Sequence, residues 1–292
     1  MRLSFYVIMR MVRCMNKNNG DNFCSLEKYK LYRSVYEIFH PTISKKNISN
    51  YKVVLDEKML PVHVFYPKKV ADTKSVIIYI PGNGIVSGSY GKYSNICKNI
   101  ALECNKLVIA IDYFNGSDKY PTTSNKIFKI INYLLDEFEN NGVEYNNITL
   151  MGDSTGCLII KDILVKLNNK EKRIGKSIFM YPVVRENYDD YVWNESCINL
   201  NYNFDKRLCN YLNKYYSKGN GCDWNRELFY KTIDSCLIIL GDMDLLKEDG
   251  ILLSDMLNCS FESIKFATHG FLNCFDEEIL NETYKIIKKY LG

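Results

Sequence analysis

The sequence ITLMGDSTG at residues 148–156 joins an apolar run to a stretch with helical periodicity. Apolar residues then recur at three- and four-residue spacing over residues 158–167, which predicts a helix that begins just after Ser154. The serine would lie on a sharp turn from strand to helix, where a side chain two residues before or after it collides with neighbouring backbone. Gly152 and Gly156 occupy those two positions. The pattern predicts a nucleophilic serine at the positive end of a helix dipole, which favours developing negative charge.

A serine hydroxyl needs a general base, and the chain has three histidines. His40 precedes a proline at the end of an amphipathic segment, and His63 lies in an alternating apolar run, so both read as ordinary surface or sheet positions. His269 follows a strand-like run and lies in a loop before the final helical stretch. We predict that His269 is the base, because α/β hydrolases place serine, acid and histidine in that chain order.

The acid of such a triad should follow a strand between the serine and the histidine. The apolar run at residues 236–240 is followed by GDMD at residues 241–244, which supplies Asp244 as the first choice. Asp242 could instead cap the turn, and Glu248 or Asp249 could be acids of a first helical turn. Spacing alone leaves the choice of acid open.

Three motifs resemble those of the hormone-sensitive-lipase-like branch of the α/β hydrolases, which includes bacterial acetyl esterases and arylacetamide deacetylases. GDSTG at residues 152–156 resembles the family's Gly-Asp-Ser-Ala-Gly-Gly, and DLLKED at residues 244–249 resembles its Asp-Pro-Leu-Arg-Asp-Glu. HGF at residues 269–271 is its His-Gly-Phe. Weaker matches extend the resemblance from about residue 51 to residue 291. By this resemblance Asp244 is the triad acid, and the enzyme needs no cofactor.

The resemblance also implies an oxyanion hole, at a place where this chain departs from the family. The family has His-Gly-Gly-Gly after a strand, and this chain has PGNG at residues 81–84 after the apolar run 76–80. An oxyanion hole uses backbone N–H groups, and asparagine is among the few non-glycine residues that tolerate positive φ. We therefore predict Asn83, Gly84 and Thr155 as the donors. The alternative is an ordinary turn rich in proline, glycine and asparagine.

Strand-like runs alternate with helical periodicity from residue 51 onward. The runs are a hairpin over residues 51–66 and single strands at 75–80, 107–111, 148–151, 177–181, 236–240 and 263–266. This alternation predicts an α/β-hydrolase fold, with a mostly parallel central sheet and helices on both faces. Functional loops should gather at the carboxyl ends of the strands.

A helical cap is implied by the resemblance, since family members build one from N-terminal helices and an insertion after the sixth strand. We predict four parts: an N-terminal extension with cap helices at residues 1–50, the first part of the core at 51–184, the cap insertion at 185–230, and the second part of the core at 231–292. Aromatic residues are dense in both predicted cap segments. They could line an apolar acyl pocket or simply pack the cap on the core.

Composition narrows the class of protein. The 38 basic and 34 acidic side chains give a net charge of +4 without a long cluster, which argues against nucleic-acid binding. Eleven cysteines without a Cys-x-x-Cys pair, and three histidines, favour free thiols in a reducing cytoplasm and no metal site. The apolar run at residues 3–9 is too short for stable membrane insertion, and is either a weak targeting segment or an extension before a later start. Oligomerisation is possible.

These observations predict a serine carboxylesterase that hydrolyses small, short-acyl esters through an acyl-enzyme intermediate. Two alternatives stay open at this point. One is an amidase or deacetylase that uses the same triad, and the other is a ligand-binding member of the fold without catalysis.

Overall fold

An eight-stranded sheet runs through the computed structural model, which describes residues 48–55, 58–67, 75–82, 84, 90–113, 120–140, 142–188, 204–215, 224–274 and 276–292. The strands are β1 (Ile48–Leu55), β2 (Lys58–Phe65), β3 (Val76–Ile80), β4 (Leu107–Ile111), β5 (Ile148–Asp153), β6 (Ile174–Met180), β7 (Ile233–Gly241) and β8 (Ser260–Ile264). Their spatial order is β1-β2-β4-β3-β5-β6-β7-β8. β2 runs antiparallel to β1 and β4, and every other pairing is parallel. The predicted mostly parallel sheet is confirmed.

Helices cover both faces of this sheet. They are α1 (Tyr90–Cys104), α2 (Thr122–Asn140), α3 (Gly156–Asn168), α4 (Phe204–Tyr215), α5 (Arg226–Thr232), α6 (Lys247–Leu257) and α7 (Glu277–Leu291). Strand side chains alternate between faces, so Ile77 and Tyr79 pack with α1 and α7, whereas Ile78 and Ile80 pack with α2, α3, α5 and α6. Within the ranges given above, no helix is both long and apolar enough to cross a membrane.

The helix α3 lies at the centre of one face. Its residues from Gly156 to Leu164 are all buried, including Lys161 and Asp162. A helix that is apolar around most of its circumference is stable only when other elements surround it, and here α2, α5 and the sheet do so. The start of α3, and with it the turn that carries Ser154, is therefore fixed by the core.

The last strand ends earlier than the sequence predicted. The interpretation of residues 263–266 as strand is wrong at its end, because β8 stops at Ile264 and Lys265 and Phe266 form a turn. Phe266 has a φ of 58° and is 77% exposed, so its apolar side chain does not mark a core position. β5, in contrast, continues beyond the predicted Met151 to Asp153.

The predicted cap segments lie largely outside the described residues, which begin at residue 48 and omit 189–203 and 216–223. Helix α4 is described, and its Leu208 and Leu212 pack on Leu158 of α3 and on Leu246. Trp224 donates a hydrogen bond to the carbonyl of Val184 at 2.9 Å. The described part of this segment is thus packed on the core, and the four domain boundaries stay a prediction.

Candidate active site

The turn between β5 and α3 presents Ser154. Its φ is 52°, in the left-handed region that non-glycine residues avoid, at a cost of about 1–3 kcal/mol that the surrounding structure must offset. The N–H of Ser154 donates to the carbonyl of Met180 on β6 at 2.9 Å, which anchors the turn to the sheet. Thr155 is the N-cap residue of α3, and the helix begins at Gly156. The predicted strand, turn and helix are therefore present.

The two glycines of the motif are required by close packing. A Cβ atom on Gly156 would overlap the carbonyl oxygen of Ile80, and one on Gly152 would lie 2.7 Å from Cδ1 of Ile160 and 3.1 Å from the same carbonyl. The crowding on Gly156 comes from backbone, which cannot rotate away. The collision predicted for side chains at these positions therefore has a clear structural cause.

The structure brings Ser154, His269 and Asp244 together. The Ser154 Oγ lies 2.9 Å from His269 Nε2. On the other side of the ring, His269 Nδ1 lies 3.1 Å from Asp244 Oδ1 and 3.0 Å from Oδ2. With the proton on Nδ1, the imidazole donates to the carboxylate and its Nε2 accepts from the serine hydroxyl. These three residues come from the carboxyl ends of β5, β8 and β7.

Asp244 is held in place by a contact other than its contact with the histidine. Its Oδ1 accepts a hydrogen bond from the N–H of Leu246 at 2.9 Å, and its side chain is 1% exposed. The other acids of this segment have different surroundings: the Asp249 carboxylate binds Arg185 at 2.9 Å, and Glu248 is exposed in the first turn of α6. The N–H of Asp242 donates to Ile264. The geometry thus favours Asp244 as the partner of the histidine.

The His269 ring packs against aromatic residues. The Tyr181 ring packs against it in a T-shaped arrangement with ring centroids 5.1 Å apart, and Tyr181 also packs on Phe271 at 4.8 Å. The side chain of His269 is 8% exposed, so these contacts leave the ring little freedom to turn. His63 lies on β2 with its Nε2 3.6 Å from the Asp112 carboxylate, and His40 is outside the described residues.

Asp153, which sequence reasoning did not single out, ties the nucleophile turn to the facing loop. Its Oδ1 accepts hydrogen bonds from the Tyr79 hydroxyl at 2.6 Å and from the N–H of Gly82 at 2.9 Å. The Tyr181 hydroxyl lies 3.4 Å from its Oδ2. Burial raises the pKa of Asp153, and these hydrogen bonds together with the charge of His269 act in the opposite direction. The position of Asp153 directly before the predicted nucleophile is the feature of the sequence that could have identified it.

The loop after β3 passes directly over the nucleophile turn. A Cβ atom on Gly82 would overlap the carbonyl oxygen of Asp153 and lie 2.8 Å from Cβ of Ser154. The Tyr113 hydroxyl donates to the carbonyl of Gly82 at 3.0 Å and contacts that of Pro81. Gly84 has a φ of 68°, where glycine is favoured.

Of the three predicted oxyanion donors, Gly84 follows β3 and Thr155 lies at the start of α3. Asn83 falls outside the described residues. Among the residues that are described, no group of three or more histidine, cysteine, aspartate or glutamate side chains is arranged to hold a metal ion.

Comparison with known proteins identifies the family. The family model described as alpha/beta hydrolase fold matches residues 77–273, which is more than half of the chain. The chain belongs to this family. The matched range begins in β3 and ends just after His269, so it contains every residue that we predicted for the site.

Individual relatives are distant. Ethyl acetate hydrolase of Pseudomonas putida is 28% identical over 104 residues, which are 35% of this chain and 33% of that protein. Human arylacetamide deacetylase-like 4 is 26% identical over 130 residues, or 43% of this chain and 32% of the relative. This chain spans about half or less of the length of the curated relatives it matches.

A solved esterase from the archaeon Pyrobaculum calidifontis has the same fold, with a TM-score of 0.73 over 100% of this chain and 98% of that one. It is 15% identical in sequence, and at this level the likeness shows the fold alone. The predicted α/β-hydrolase fold and the resemblance to the hormone-sensitive-lipase-like branch are confirmed by these findings.

Proposed function

We propose that this protein is a serine esterase that hydrolyses small carboxylic esters with short acyl groups. The observation that carries the proposal is the hydrogen-bonded series from Ser154 through His269 to Asp244. Serine is a weak nucleophile unless a base removes its proton, and an imidazole fixed by a buried carboxylate is a base of this kind.

Acylation follows from the positions of these atoms. The Ser154 Oγ attacks the ester carbonyl carbon while His269 Nε2 takes the hydroxyl proton. Asp244 accepts from Nδ1–H and stabilises the imidazolium that forms, while Tyr181 limits rotation of the ring. His269 then gives the proton to the leaving alcohol, and the acyl group stays on Ser154.

Deacylation uses the same groups in a second round. A water molecule loses a proton to His269 Nε2 and attacks the acyl carbonyl, and the proton then returns to Ser154 Oγ as the acid leaves. Both rounds pass through a tetrahedral intermediate with a negative oxygen.

The backbone N–H groups of Asn83, Gly84 and Thr155 are the proposed donors to that oxygen. Thr155 lies at the amino end of α3, so the helix dipole adds to the stabilisation. Asp153 and Tyr113 support this arrangement, since one binds the N–H and the other the carbonyl of Gly82. These two residues position the loop and do not touch the reacting atoms.

The preference for short acyl groups is supported by one relative, which is named for the hydrolysis of ethyl acetate. The human relative is named as similar to an arylacetamide deacetylase, so an amide is the second substrate class to test. Matched aryl acetate and aryl acetamide substrates would separate the two activities.

The test of the proposal combines labelling with turnover. A fluorophosphonate probe should modify Ser154, and the protein should hydrolyse 4-nitrophenyl acetate. The Ser154→Ala variant should lose both the label and the turnover, with its circular dichroism spectrum unchanged. Ser263→Ala, a serine on the edge strand β8, serves as the matched control and should keep both. Full activity of Ser154→Ala would refute the proposal.

A further inference from the structure

Two free cysteines lie side by side, Cys236 within β7 and Cys259 just before β8, away from the end of the sheet that carries the candidate active site. The strands pair in parallel with Leu237 next to Ser260, so Cys236 and Cys259 each precede a paired residue by one position. Neighbouring strands are about 4.8 Å apart, and a disulfide joins Cα atoms that are about 4.4–6.8 Å apart. The register therefore allows a bond between these two residues.

The side chains point to the same face of the sheet. Cys236 belongs to the core cluster that β7 shares with α3, α5 and α6, and Cys259 packs against that cluster from its margin. The register and this shared face place the two thiols next to each other, within reach of a hydrogen bond. The pair is thus in contact while both cysteines are reduced.

The two sulfurs differ in access and in acidity. Cys259 is half-buried, whereas Cys236 is buried. The hydrogen bond from Cys236 lowers the pKa of Cys259, because it favours the thiolate. The same hydrogen bond, together with burial, raises the pKa of Cys236. Cys259 therefore ionises first and is the sulfur that a reagent can reach.

We propose that Cys259 and Cys236 form a thiol–disulfide exchange site, at which a small-molecule disulfide such as oxidised glutathione is reduced and β7 becomes covalently joined to β8. Reactive cysteines are partly exposed and have thiolate character, and a second thiol within reach resolves the mixed disulfide. Cys259 meets the first condition and Cys236 the second.

The exchange proceeds in two balanced steps. The Cys259 thiolate attacks one sulfur of oxidised glutathione, which breaks that disulfide and releases one glutathione thiolate. Cys236 then attacks Cys259 Sγ and passes its proton to the departing glutathione sulfur, which forms the Cys236–Cys259 bond and releases the second glutathione as a thiol. The two electrons lost by the cysteine pair are those that convert oxidised glutathione into two thiols.

The bond would join the two strands that carry partners of the nucleophile. Asp244 follows the carboxyl end of β7, and His269 follows β8. β8 lies at the edge of the sheet and pairs with β7 alone among the described strands. The exchange site is separate from the proposed esterase chemistry, and neither proposal depends on the other.

The experiment uses the full chain incubated with oxidised glutathione at pH 7, quenched with N-ethylmaleimide and mapped by mass spectrometry without reduction. A peptide cross-link between Cys236 and Cys259 is expected. Cys274 is the internal comparison, since it is also half-buried but burial raises its pKa to about 11. The thiolate is the attacking form, so the thiol with the lower pKa has the larger reactive population. Cys259 should therefore react faster than Cys274.

Two variants separate the steps. In Cys236→Ser, Cys259 should stop at the glutathione mixed disulfide, and in Cys259→Ser, Cys236 should stay unmodified. Equal rates at Cys259 and Cys274, or a glutathione adduct on Cys259 that persists in the unaltered chain, would overturn the proposal. Both of those results come from the unaltered protein, so they hold even if a variant folds poorly.

Discussion

The carboxylate of Asp153 accepts a hydrogen bond from the N–H of Gly82 at 2.9 Å, so the residue before the nucleophile holds the loop that faces it. The same oxygen accepts from the Tyr79 hydroxyl at 2.6 Å. Two loops that follow different strands are thereby fixed to each other by one buried side chain. Errors in the placement of oxyanion donors strongly reduce catalysis, because the donors must already point at the developing charge.

Replacing Asp153 should therefore reduce turnover without removing any reacting group. Asp153→Ala leaves two buried donors without their acceptor, and we expect a loss of about 10² to 10³ in kcat with little change in KM. Asp153→Asn keeps an acceptor oxygen and should lose less. Tyr79→Phe is the control, since it keeps the bond to Gly82 and should stay within about tenfold of the parent. Steady-state kinetics on 4-nitrophenyl acetate provides the measurement. Equal kcat for Asp153→Ala and the parent would show that Asp153 does not position the loop for catalysis.

The buried Asp153 should also affect stability as a function of pH. Its pKa is raised by burial in the folded state, so between the unfolded and folded pKa values the folded protein holds a proton that the unfolded chain has released. Stability of the parent then falls as the pH rises above about 4, relative to Asp153→Asn, which has no such proton. Urea unfolding should show that the free energy of unfolding of Asp153→Asn increases relative to that of the parent as the pH rises through this range. If the parent instead gains stability relative to Asp153→Asn, the hydrogen bonds and the charge of His269 outweigh the effect of burial on the pKa of Asp153.

Asp244 and Asp242 should differ sharply when each is changed to asparagine. Asp244→Asn removes the acceptor that keeps the proton on His269 Nδ1, and a loss of about 10⁴ in kcat is expected from the wrong tautomer. Asp242→Asn is the matched change two residues earlier, and its kcat should fall far less. The hydrogen bond from the backbone N–H of residue 242 to the carbonyl of Ile264 does not depend on the side chain. Kinetics of the two variants at equal fold content, judged by circular dichroism, provides the measurement. Exchanged phenotypes would show that the acid is wrongly assigned.

Local patterns were sufficient to predict the sheet and the nucleophile turn. The apolar runs fell on β3 to β7 because buried parallel strands are nearly continuous in apolar residues. β8 is largely exposed, and its predicted run overlaps it only at residues 263 and 264. The order serine, acid, histidine led to His269, but spacing alone did not choose between Asp242 and Asp244. The family resemblance made that choice, and the 3.0 Å distance from Asp244 to the imidazole is its physical basis.

Contacts that depend on strand register were beyond local patterns. Tyr79 reads as one more core residue of β3, and its bond to Asp153 arises because β3 and β5 pair with Tyr79 next to Met151. Cys236 and Cys259 likewise meet through the pairing of β7 with β8. Periodicity identifies the strands but does not fix which residues stand side by side.

Ser154 and His269 should act as a unit in catalysis, so that replacing either residue removes the contribution of both. Ser154→Ala and His269→Ala are each expected to reduce kcat by about 10⁴ to 10⁶, since the two side chains act as a unit across a 2.9 Å contact. The double variant should then be little worse than either single variant. Losses that multiply instead would show that the two residues act independently.

Asn83 provides a test of the predicted oxyanion loop, where this chain departs from its family. Its neighbour Gly84 has a φ of 68°, and its neighbour Gly82 packs against the turn that carries Ser154. If the Asn83 N–H donates to the oxyanion, its side chain matters chiefly by tolerating positive φ. Asn83→Gly should then retain activity, whereas the β-branched Asn83→Val should lose about 10² to 10³ in kcat with KM nearly unchanged. Near-parental kcat in Asn83→Val, with an intact circular dichroism spectrum, would place the oxyanion donors elsewhere.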